Sequence, residues 1–257
     1  MQQLTEQFAY TDSIIHSMHP GFRLACAFLF SLAGALVTNL VAAVSVLAAG
    51  IFFVLAARLQ FKVLLKRLLV INFFILFLWC FLPFSRPGEP VFNIGPFTAT
   101  LEGIIYTAVI TLKSNGVILA MTSLISTMQV QTLGAGMQSL KLPEKLSRLL
   151  LFSWRYVHVM LTEYTRIRRA AAMRGFVPRT NLRTYRTYAW LMGMLLVRSL
   201  DRAQRVWQAM LCRGFAGTFH TLTSYRVGKK DLALLTATMG FVALFIFLEF
   251  NKIEVPL

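Results

Sequence analysis

Acidic residues, histidine and cysteine are scarce in this sequence of 257 residues, and each shortage excludes a class of functional site. The chain has 10 Asp and Glu, 4 His and 3 Cys. The cysteines stand far apart without paired spacing, which argues against a disulfide framework or a zinc site. The acids are too few and too dispersed for an active site built on two carboxylates. The composition therefore gives an enzyme poor support.

The sequence motifs of nucleotide and metal chemistry are missing as well. Gly228-Lys229-Lys230 lacks the upstream glycine and the Ser or Thr of a phosphate-binding loop, and no HExxH or GxSxG sequence occurs. His16 and His19 lie close together, but surface or interfacial histidines explain this pair better than a metal site does. The sequence predicts neither a catalytic residue nor a metal ligand.

The chain is rich in apolar residues and in positive charge. Hydrophobic residues make up 57% of it and the mean hydropathy is +0.64, which indicates a membrane protein. The net charge is +16, and residues 141–230 hold 18 Lys and Arg beside three acids. A basic block that adjoins membrane spans is what the positive-inside rule expects of a cytoplasmic face. No nucleic-acid-binding motif accompanies it, so we expect no nucleic-acid partner.

The apolar runs predict an all-α membrane protein with about five transmembrane helices and long cytoplasmic helices. The first run, from just after Arg23 to Ala57, has no charge and is long enough for two spans with a turn at Thr38-Asn39. Three further spans are predicted, at residues 68–84, 103–128 and 232–250. The first 20 residues contain no apolar stretch with a cleavage site, so we predict no removable signal peptide.

The distribution of charge predicts the orientation of these spans. The amino terminus and residues 141–230 are expected inside the cell, whereas the proline-rich segment 85–100 and the carboxyl terminus are expected outside. A further cytoplasmic loop is predicted from the cations Arg58, Lys62, Lys66 and Arg67. The predicted domains are 1–128 with four spans, 129–230 with the cytoplasmic helices, and 231–257 with the last span.

Two features leave details of the spans open. Lys113 lies in the middle of the fourth predicted span, where facing lipid is too costly. It either snorkels or lies against protein, and we favour burial against a neighbouring helix or a partner subunit. The segment 189–197 is apolar all round but has only nine residues, too few to span a membrane alone. Whether it contributes to a sixth span stays open.

Two long amphipathic helices are predicted within the basic block, at residues 144–174 and 185–213. Each has an apolar stripe whose members follow one another by steps of 4, 3, 4 and 3 residues. The stripes are Leu150, Trp154, Val157, Leu161 and Tyr164 in the first helix and Leu196, Leu200, Ala203, Trp207 and Met210 in the second. Glu163 and Arg166 are expected to pair at the i, i+3 spacing.

The two long helices finish in a repeated sequence. Residues 170–176 read AAAMRGF and residues 209–215 read AMLCRGF, an offset of 39 residues. Five residues are identical at this offset: Arg166, Ala170, Arg174, Gly175 and Phe176 correspond to Arg205, Ala209, Arg213, Gly214 and Phe215. The arginines and the alanine share one helix face, and the glycine lets each helix turn left-handed and stop.

A single arginine–glycine pair at a helix end is ordinary capping chemistry, favoured by the helix dipole. Capping needs the glycine, but it does not need the same arginine, alanine and phenylalanine twice. The repeat therefore predicts two arginines that bind a soluble acidic partner, since a guanidinium pairs with a carboxylate through two hydrogen bonds.

At these residues the chain resembles the transmembrane coupling (T) component of energy-coupling-factor transporters, within the ABC class, and looks most like the cobalt and nickel branch. The family signature is two Ala-Arg-Gly motifs, each at the end of a cytoplasmic coupling helix. Here they read Met173-Arg174-Gly175 and Cys212-Arg213-Gly214, so arginine and glycine match twice and alanine does not. Ala170 and Ala209 are expected to supply the contact of the missing small residue.

The resemblance extends over nearly the whole chain. Arg155 and Glu163 precede the first motif as the family leads one to expect, with Arg166 and Arg205 as further supporting residues of the coupling helices. Residues 140–146 (LKLPEKL) resemble the loop before the first coupling helix, and residues 198–215 are very similar to the cobalt branch.

The resemblance implies a non-catalytic scaffold in a bacterial or archaeal cell membrane. Two cytoplasmic ATP-binding-cassette ATPases would each receive one coupling helix, with Arg174 and Arg213 entering acidic grooves. The motion would pass to a small membrane substrate-binding (S) subunit packed on the spans and the coupling helices. ATP and the metal ion would bind these partners, so this chain would hold no cofactor. Cobalt is favoured over nickel, and a vitamin or other micronutrient follows.

Two functions of other classes stay open on the sequence. A self-contained secondary transporter would move its substrate without an ATPase, although the spans have few of the charged residues that mark a pathway. A membrane enzyme with a basic cytoplasmic site would keep its turnover when both arginines are removed.

Overall fold

The computed structural model describes residues 18–59, 61–85, 90–94, 97–140, 142–216 and 228–250. The helices are α1 (Pro20–Leu36), α2 (Leu40–Ala57), α3 (Phe61–Phe81), α4 (Leu101–Leu124), α5 (Val130–Ser139), α6 (Glu144–Met173), α7 (Leu182–Cys212) and α8 (Lys229–Phe250). A 3-10 turn, Leu82–Phe84, follows α3. The predicted class, a helical membrane protein, is confirmed.

A short hairpin lies in the segment that the sequence predicts as a loop. It consists of β1 (Pro90–Ile94) and β2 (Phe97–Thr100), which pair antiparallel with Ile94 opposite Phe97. Thr100 then begins α4, because its side chain accepts a hydrogen bond from the backbone N–H of Gly103 at 3.2 Å.

Four of the described helices are long and apolar enough to cross a membrane, namely α2, α3 with its 3-10 turn, α4 and α8. The first predicted span in chain order corresponds to α1, which is apolar but has only 17 residues, near the lower limit for a span. The segment 189–197 lies inside α7, which is not among these candidates. The chain is a multi-pass membrane protein.

Two of the predicted span boundaries are wrong. Helix α3 begins at Phe61 rather than at residue 68, so Lys66 and Arg67 belong to a helix and not to a loop. Nothing between Phe61 and residue 68 breaks a helix, and long cationic side chains are tolerated near the end of a span because they reach towards the membrane surface. Helix α4 ends at Leu124, and residues 125–128 form a turn.

The chain forms two compact units, residues 1–142 with 225–257 and residues 143–224. The first unit contains the candidate spans and α5, whereas the second contains α6 and α7. Helix α5 belongs to the first unit because it packs on α1. The amino-terminal part of the first unit therefore extends to residue 142, whereas the predicted domain boundary lies at residue 128.

The core of the first unit combines aromatic contacts with close backbone packing. Phe30 meets Phe53 and Phe245 edge to face, each at a centroid distance of 5.5 Å. Helices α2 and α4 touch at two glycines, since a Cβ on Gly50 would lie 2.4 Å from the carbonyl oxygen of Gly116. Small residues allow such an approach inside a membrane, where van der Waals contact drives helix association.

Lys113 lies against protein, as the sequence analysis favours. Its Nζ donates to the carbonyl oxygens of Ala35 and Val37, each at 3.3 Å, at the end of α1. These carbonyls have no helical partner, and the end of a helix dipole favours a cation. Glu249 of α8 accepts a hydrogen bond from the N–H of Thr38 at 3.2 Å beside the same turn. The turn between α1 and α2 is thus held by two charged side chains.

The second unit consists of the two long helices. Asn181 begins α7, because its side chain accepts a hydrogen bond from the N–H of Thr184 at 2.9 Å. The apolar stripes remain largely uncovered, since Val157 is 48% exposed and Leu200 is 57% exposed. The amphipathic pattern therefore leaves an apolar surface on this unit instead of closing a core within it.

Candidate functional site

The first arginine end terminates α6 in a Schellman motif. Gly175 has a φ of +80°. The N–H of Phe176 donates to the carbonyl of Ala171 at 3.1 Å, and the N–H of Gly175 donates to the carbonyl of Ala172 at 3.0 Å. These two bonds satisfy carbonyls that the helix leaves free. Arg174 is the C-cap residue, one position beyond the last helical residue.

The second arginine end repeats this backbone. Gly214 has a φ of +73°. The N–H of Phe215 donates to the carbonyl of Met210 at 3.1 Å, and the N–H of Gly214 donates to the carbonyl of Leu211 at 2.9 Å. Arg213 is the C-cap residue of α7. The predicted left-handed helix stops are confirmed at both glycines, but the arginines follow the last helical turn instead of lying in it.

Both ends are open to a partner. Arg174, Arg213, Ala170 and Ala209 are exposed. Neither C-cap arginine forms an ion pair with another described residue, and apart from the adjacent residues of the chain no described atom lies within 4 Å of a Cβ placed on Gly175 or Gly214. Each arginine therefore retains its hydrogen-bond donors for a group on another molecule.

The phenylalanine of each motif turns back onto α7. The ring of Phe176 lies 5.8 Å from that of Tyr188, and the ring of Phe215 lies 6.1 Å from that of Trp207, both edge to face. These contacts fix the chain just beyond each left-handed glycine. The repeated phenylalanines therefore have a structural task in this unit, besides the docking role predicted for them.

A buried carboxylate joins the two long helices. Glu163 of α6 is 8% exposed and forms an ion pair with Arg198 of α7. Arg166 lies 3.7 Å from the same carboxylate, which confirms the predicted i, i+3 pair. The hydrogen bond from Arg198 holds the pKa of Glu163 below its ordinary value, and the charge of Arg166 acts in the same direction. This three-residue cluster is called the Glu163 clasp below.

Arg198 of the clasp is absent from the set of residues predicted from sequence. The signal that points to it is Glu163 itself, a lone acid in the middle of a basic helix. A carboxylate on an amphipathic face needs a partner once it is buried. Its own helix supplies Arg166, but only the packing of α7 shows that Arg198 supplies the closer contact.

Two grooves lie within the second unit, and the first of them includes Arg166 and Arg198 of the Glu163 clasp in its lining. The arginine groove has a volume of about 940 Å³ and is lined by five cations, Arg166, Arg174, Arg179, Arg183 and Arg198. The apolar groove has a volume of about 720 Å³, and its apolar and aromatic lining is Leu149, Phe152, Tyr156, Met160, Ala203, Val206, Trp207, Met210 and Phe215.

The structure places the two sets of predicted docking residues differently. The first set lines the arginine groove together: Arg166, Ala170, Arg174, Gly175 and Phe176. From the second set only Phe215 lines the apolar groove, while Ala209, Arg213 and Gly214 line neither. The supporting residues Arg155 and Arg205 are exposed and also lie outside both grooves.

Within the described ranges no group of three or more His, Cys, Asp and Glu is placed to hold a metal ion. The charged groups in the described part of the second unit are instead mostly arginines. The arrangement offers recognition of anionic groups by hydrogen bonds and charge.

Two curated relatives align with almost the whole chain. One, from Leuconostoc gelidum subsp. gasicomitatum, is named energy-coupling factor transporter transmembrane protein EcfT. It is 26% identical over 253 residues, which cover 93% of this chain and 94% of the relative. A relative of the same name from Heliobacterium modesticaldum is 26% identical over 250 residues, which cover 91% of this chain and 92% of the relative.

The sequence also matches the family described as cobalt transport protein, CbiQ, over residues 11–225. This match includes α1 to α7 and both arginine ends. The resemblance to the transmembrane component of energy-coupling-factor transporters is thereby confirmed. Since the match extends over most of the sequence, the chain belongs to the CbiQ cobalt transport protein family.

Proposed function

We propose that the chain couples ATP hydrolysis by two partner ATPases to the movement of a separate substrate-binding membrane subunit. The observation that carries this proposal is the pair of helix ends that share one backbone conformation and each present an exposed arginine. One such end serves as a cap in many proteins. Two matched ends on adjacent helices fit a partner that is present in two copies or as two similar chains.

The chemistry of each end fits an acidic groove on an ATPase. A guanidinium forms two parallel hydrogen bonds with a carboxylate, and its charge persists at every physiological pH. The left-handed glycine that follows has open space around it, so a partner surface can approach the arginine closely. Arg174 would enter one ATPase and Arg213 the other.

The long helices provide a means of transmission. Helix α6 has 30 residues and α7 has 31, which corresponds to about 45 Å each at the rise of an α-helix. The Glu163 clasp ties the two helices together near their middle. Movement of the two ends, driven by closure of the ATPases, would therefore be carried along both helices towards the spans.

Cobalt is the substrate that we favour, with nickel next and a vitamin or other micronutrient as the alternative. The description of the family supports cobalt. The metal ion would bind the S subunit, and ATP would bind and react on the ATPases, so this chain would hold no cofactor and would catalyse no reaction. Residues 141–230 would face the cytoplasm, in agreement with their positive charge, and the amino terminus would lie on the same side of the membrane.

A binding experiment tests the proposal. The purified chain in nanodiscs is incubated with candidate ATP-binding-cassette ATPases, as wild type and as the Arg174→Ala/Arg213→Ala variant. We expect the double variant to lose more than about 30-fold in affinity, because each substitution leaves an acid unpaired on the partner. The matched control is Arg168→Ala/Arg186→Ala, which removes two exposed cations from the same helices.

The outcomes separate the alternatives. Retention of affinity by the double variant would refute the docking role of the two arginines. If the wild type binds no ATPase but moves Co²⁺ or Ni²⁺ in liposomes on its own, the chain is a self-contained transporter.

A further inference from the structure

The two helices that flank the second unit in sequence, α5 and α8, both pack on the start of α1. Helix α5 precedes the second unit in sequence and α8 follows it. Both helices contact α1, and so does α4. The contacts of α5 and α8 described below meet at residues 19–21, which begin α1.

Asp231 ties the start of α8 to the start of α1. This carboxylate is 3% exposed. Its Oδ1 accepts a hydrogen bond from the N–H of His19 at 2.6 Å, and its Oδ2 accepts one from the N–H of Gly228 at 2.7 Å. One buried carboxylate thus accepts hydrogen bonds from two backbone N–H groups at helix starts. Loss of either carboxylate oxygen would leave one of these N–H groups without its acceptor.

Glycines bring α5 into backbone contact with the same turn. A Cβ on Gly136 would lie 3.0 Å from the carbonyl carbon and oxygen of Pro20. A Cβ on Gly21 would lie 2.0 Å from Oγ of Ser139. No side chain of these glycines separates the two helices, so α5 cannot shift relative to α1 without losing direct van der Waals contact.

One turn further along α1, Arg23 secures the end of α4. It is 3% exposed. Its Nη2 donates to the carbonyl oxygen of Leu124 at 2.9 Å and to Oγ1 of Thr127. The start of α1 is therefore bound to α4, α5 and α8 through buried or backbone contacts.

We propose that the start of α1 is the point where motion of the second unit enters the membrane spans, with Gly136 and Asp231 as positioning residues. This inference rests on the proposed coupling function. In the chain, the second unit is preceded by α5 and followed by α8, so a force on it would pass along the chain to these two helices. Since both are fastened to one turn of α1, they act on the spans together. Loosening either contact lets the long helices move while the spans stay behind, because coupling between distant sites depends on packed and hydrogen-bonded elements.

The test measures uptake and ATP hydrolysis in the same proteoliposomes. The chain is reconstituted with its ATPases and S subunit, and Co²⁺ is the probe, with Ni²⁺ in parallel. For Gly136→Ala and Asp231→Ala we expect the ratio of ions moved to ATP hydrolysed to fall about tenfold, a typical size for an allosteric coupling. Capture of the ATPases should stay at the wild-type level. Gly240→Ala is the matched control, because outside its chain neighbours and its own helix backbone no described atom lies within 4 Å of a Cβ at that glycine.

A second pair of variants covers the case in which Gly136→Ala or Asp231→Ala does not assemble. Gly21→Ala should lower the ratio, and adding Ser139→Gly should restore most of it by removing the atoms that the new methyl group meets. Asp231→Asn retains one acceptor oxygen, so its ratio of ions moved to ATP hydrolysed should lie between those of wild type and Asp231→Ala. Ratios equal to that of Gly240→Ala, or no restoration in the Gly21/Ser139 pair, would overturn the inference. Failure of wild type to capture the ATPases would instead refute the proposed function.

Discussion

The two arginine ends have the same backbone and different surroundings. Both terminate a long helix in a Schellman motif with a left-handed glycine. Arg174 lines a groove with four other arginines, whereas Arg213 lines neither groove and its neighbour Phe215 borders an apolar one. Local sequence thus determines how a helix stops, while the helix packed beside it determines which chemistry a partner meets there.

This difference has a consequence for the proposed ATPase contacts. A carboxylate-rich surface at the first end would be attracted by several cations at once, so no single arginine carries the whole interaction. At the second end Arg213 lies outside both grooves, and the neighbouring apolar groove has only three cations, Lys145, Arg148 and Arg202, in its lining. We therefore expect the two contacts to respond differently to mutation and to salt.

The largest expected effect is on the single arginine variants. We expect Arg213→Ala to weaken binding of the ATPase at its end by about 30-fold, because removal of one partner leaves the other charge unpaired. Arg174→Ala should cost only about a third as much in free energy, since the remaining groove arginines still attract the acid. Affinity is measured with each ATPase in nanodiscs. Equal losses would show that the arginine groove contributes nothing to binding.

A smaller effect is expected at the left-handed glycines, and here the two ends should behave alike. Gly175→Val and Gly214→Val each place a β-branched residue at positive φ, which costs about 1–3 kcal/mol. The helix stop should shift and uptake should fall by a similar factor in both variants. Asn at either position is the matched control, because it tolerates the left-handed conformation. Normal uptake with valine would mean that the helix stop has no part in coupling.

A smaller difference between the two ends is expected in the salt dependence of ATPase binding. Raising the ionic strength shortens the Debye length to about 3 Å at 1 M and screens exposed charges. Binding at the Arg174 end should weaken with salt more steeply than binding at the Arg213 end. In Arg179→Ala/Arg183→Ala the steep dependence should become shallower, with Arg168→Ala/Arg186→Ala as control. Parallel salt curves at both ends of the wild type would contradict the comparison.

The smallest expected effect concerns the Glu163 clasp, two of whose residues, Arg166 and Arg198, line the arginine groove. The pKa of the Glu163 carboxyl group is lowered in the folded state, chiefly by the hydrogen bond from Arg198. The stability that the clasp contributes is therefore full above the ordinary carboxyl pKa of about 4.3 and is lost as the pH falls through the lowered value. Thermal unfolding of wild type and Glu163→Gln should differ at pH 7 and converge in acid. If the two proteins differ in unfolding temperature by the same amount at every pH, the ionised Glu163 carboxylate is not the source of the stability difference.

Much of the candidate site is predictable because it depends on neighbours in sequence. Gly175 and Gly214 follow long periodic helices, and a glycine there stops a helix through bonds to residues only three to five positions earlier. The pair of Glu163 and Arg166 follows from helical spacing alone. The sequence alone predicts no role for Arg179 and Arg183, because these residues join the arginine groove only through the turn before α7 and the packing of that helix.

The sequence by itself determines the membrane class, the two long helices, their left-handed stops and the repeated arginines, since hydropathy, periodicity and glycine conformation act over a few residues. It leaves the start of α3 and the end of α4 uncertain, because hydropathy marks apolar length and not the capping that ends a helix. Only the tertiary structure decides that Arg198 meets Glu163, that the two ends border different grooves, and that Asp231 binds the N–H of His19 across 212 residues of sequence. Such contacts depend on how whole helices pack, and a buried polar group finds its partner wherever packing places one.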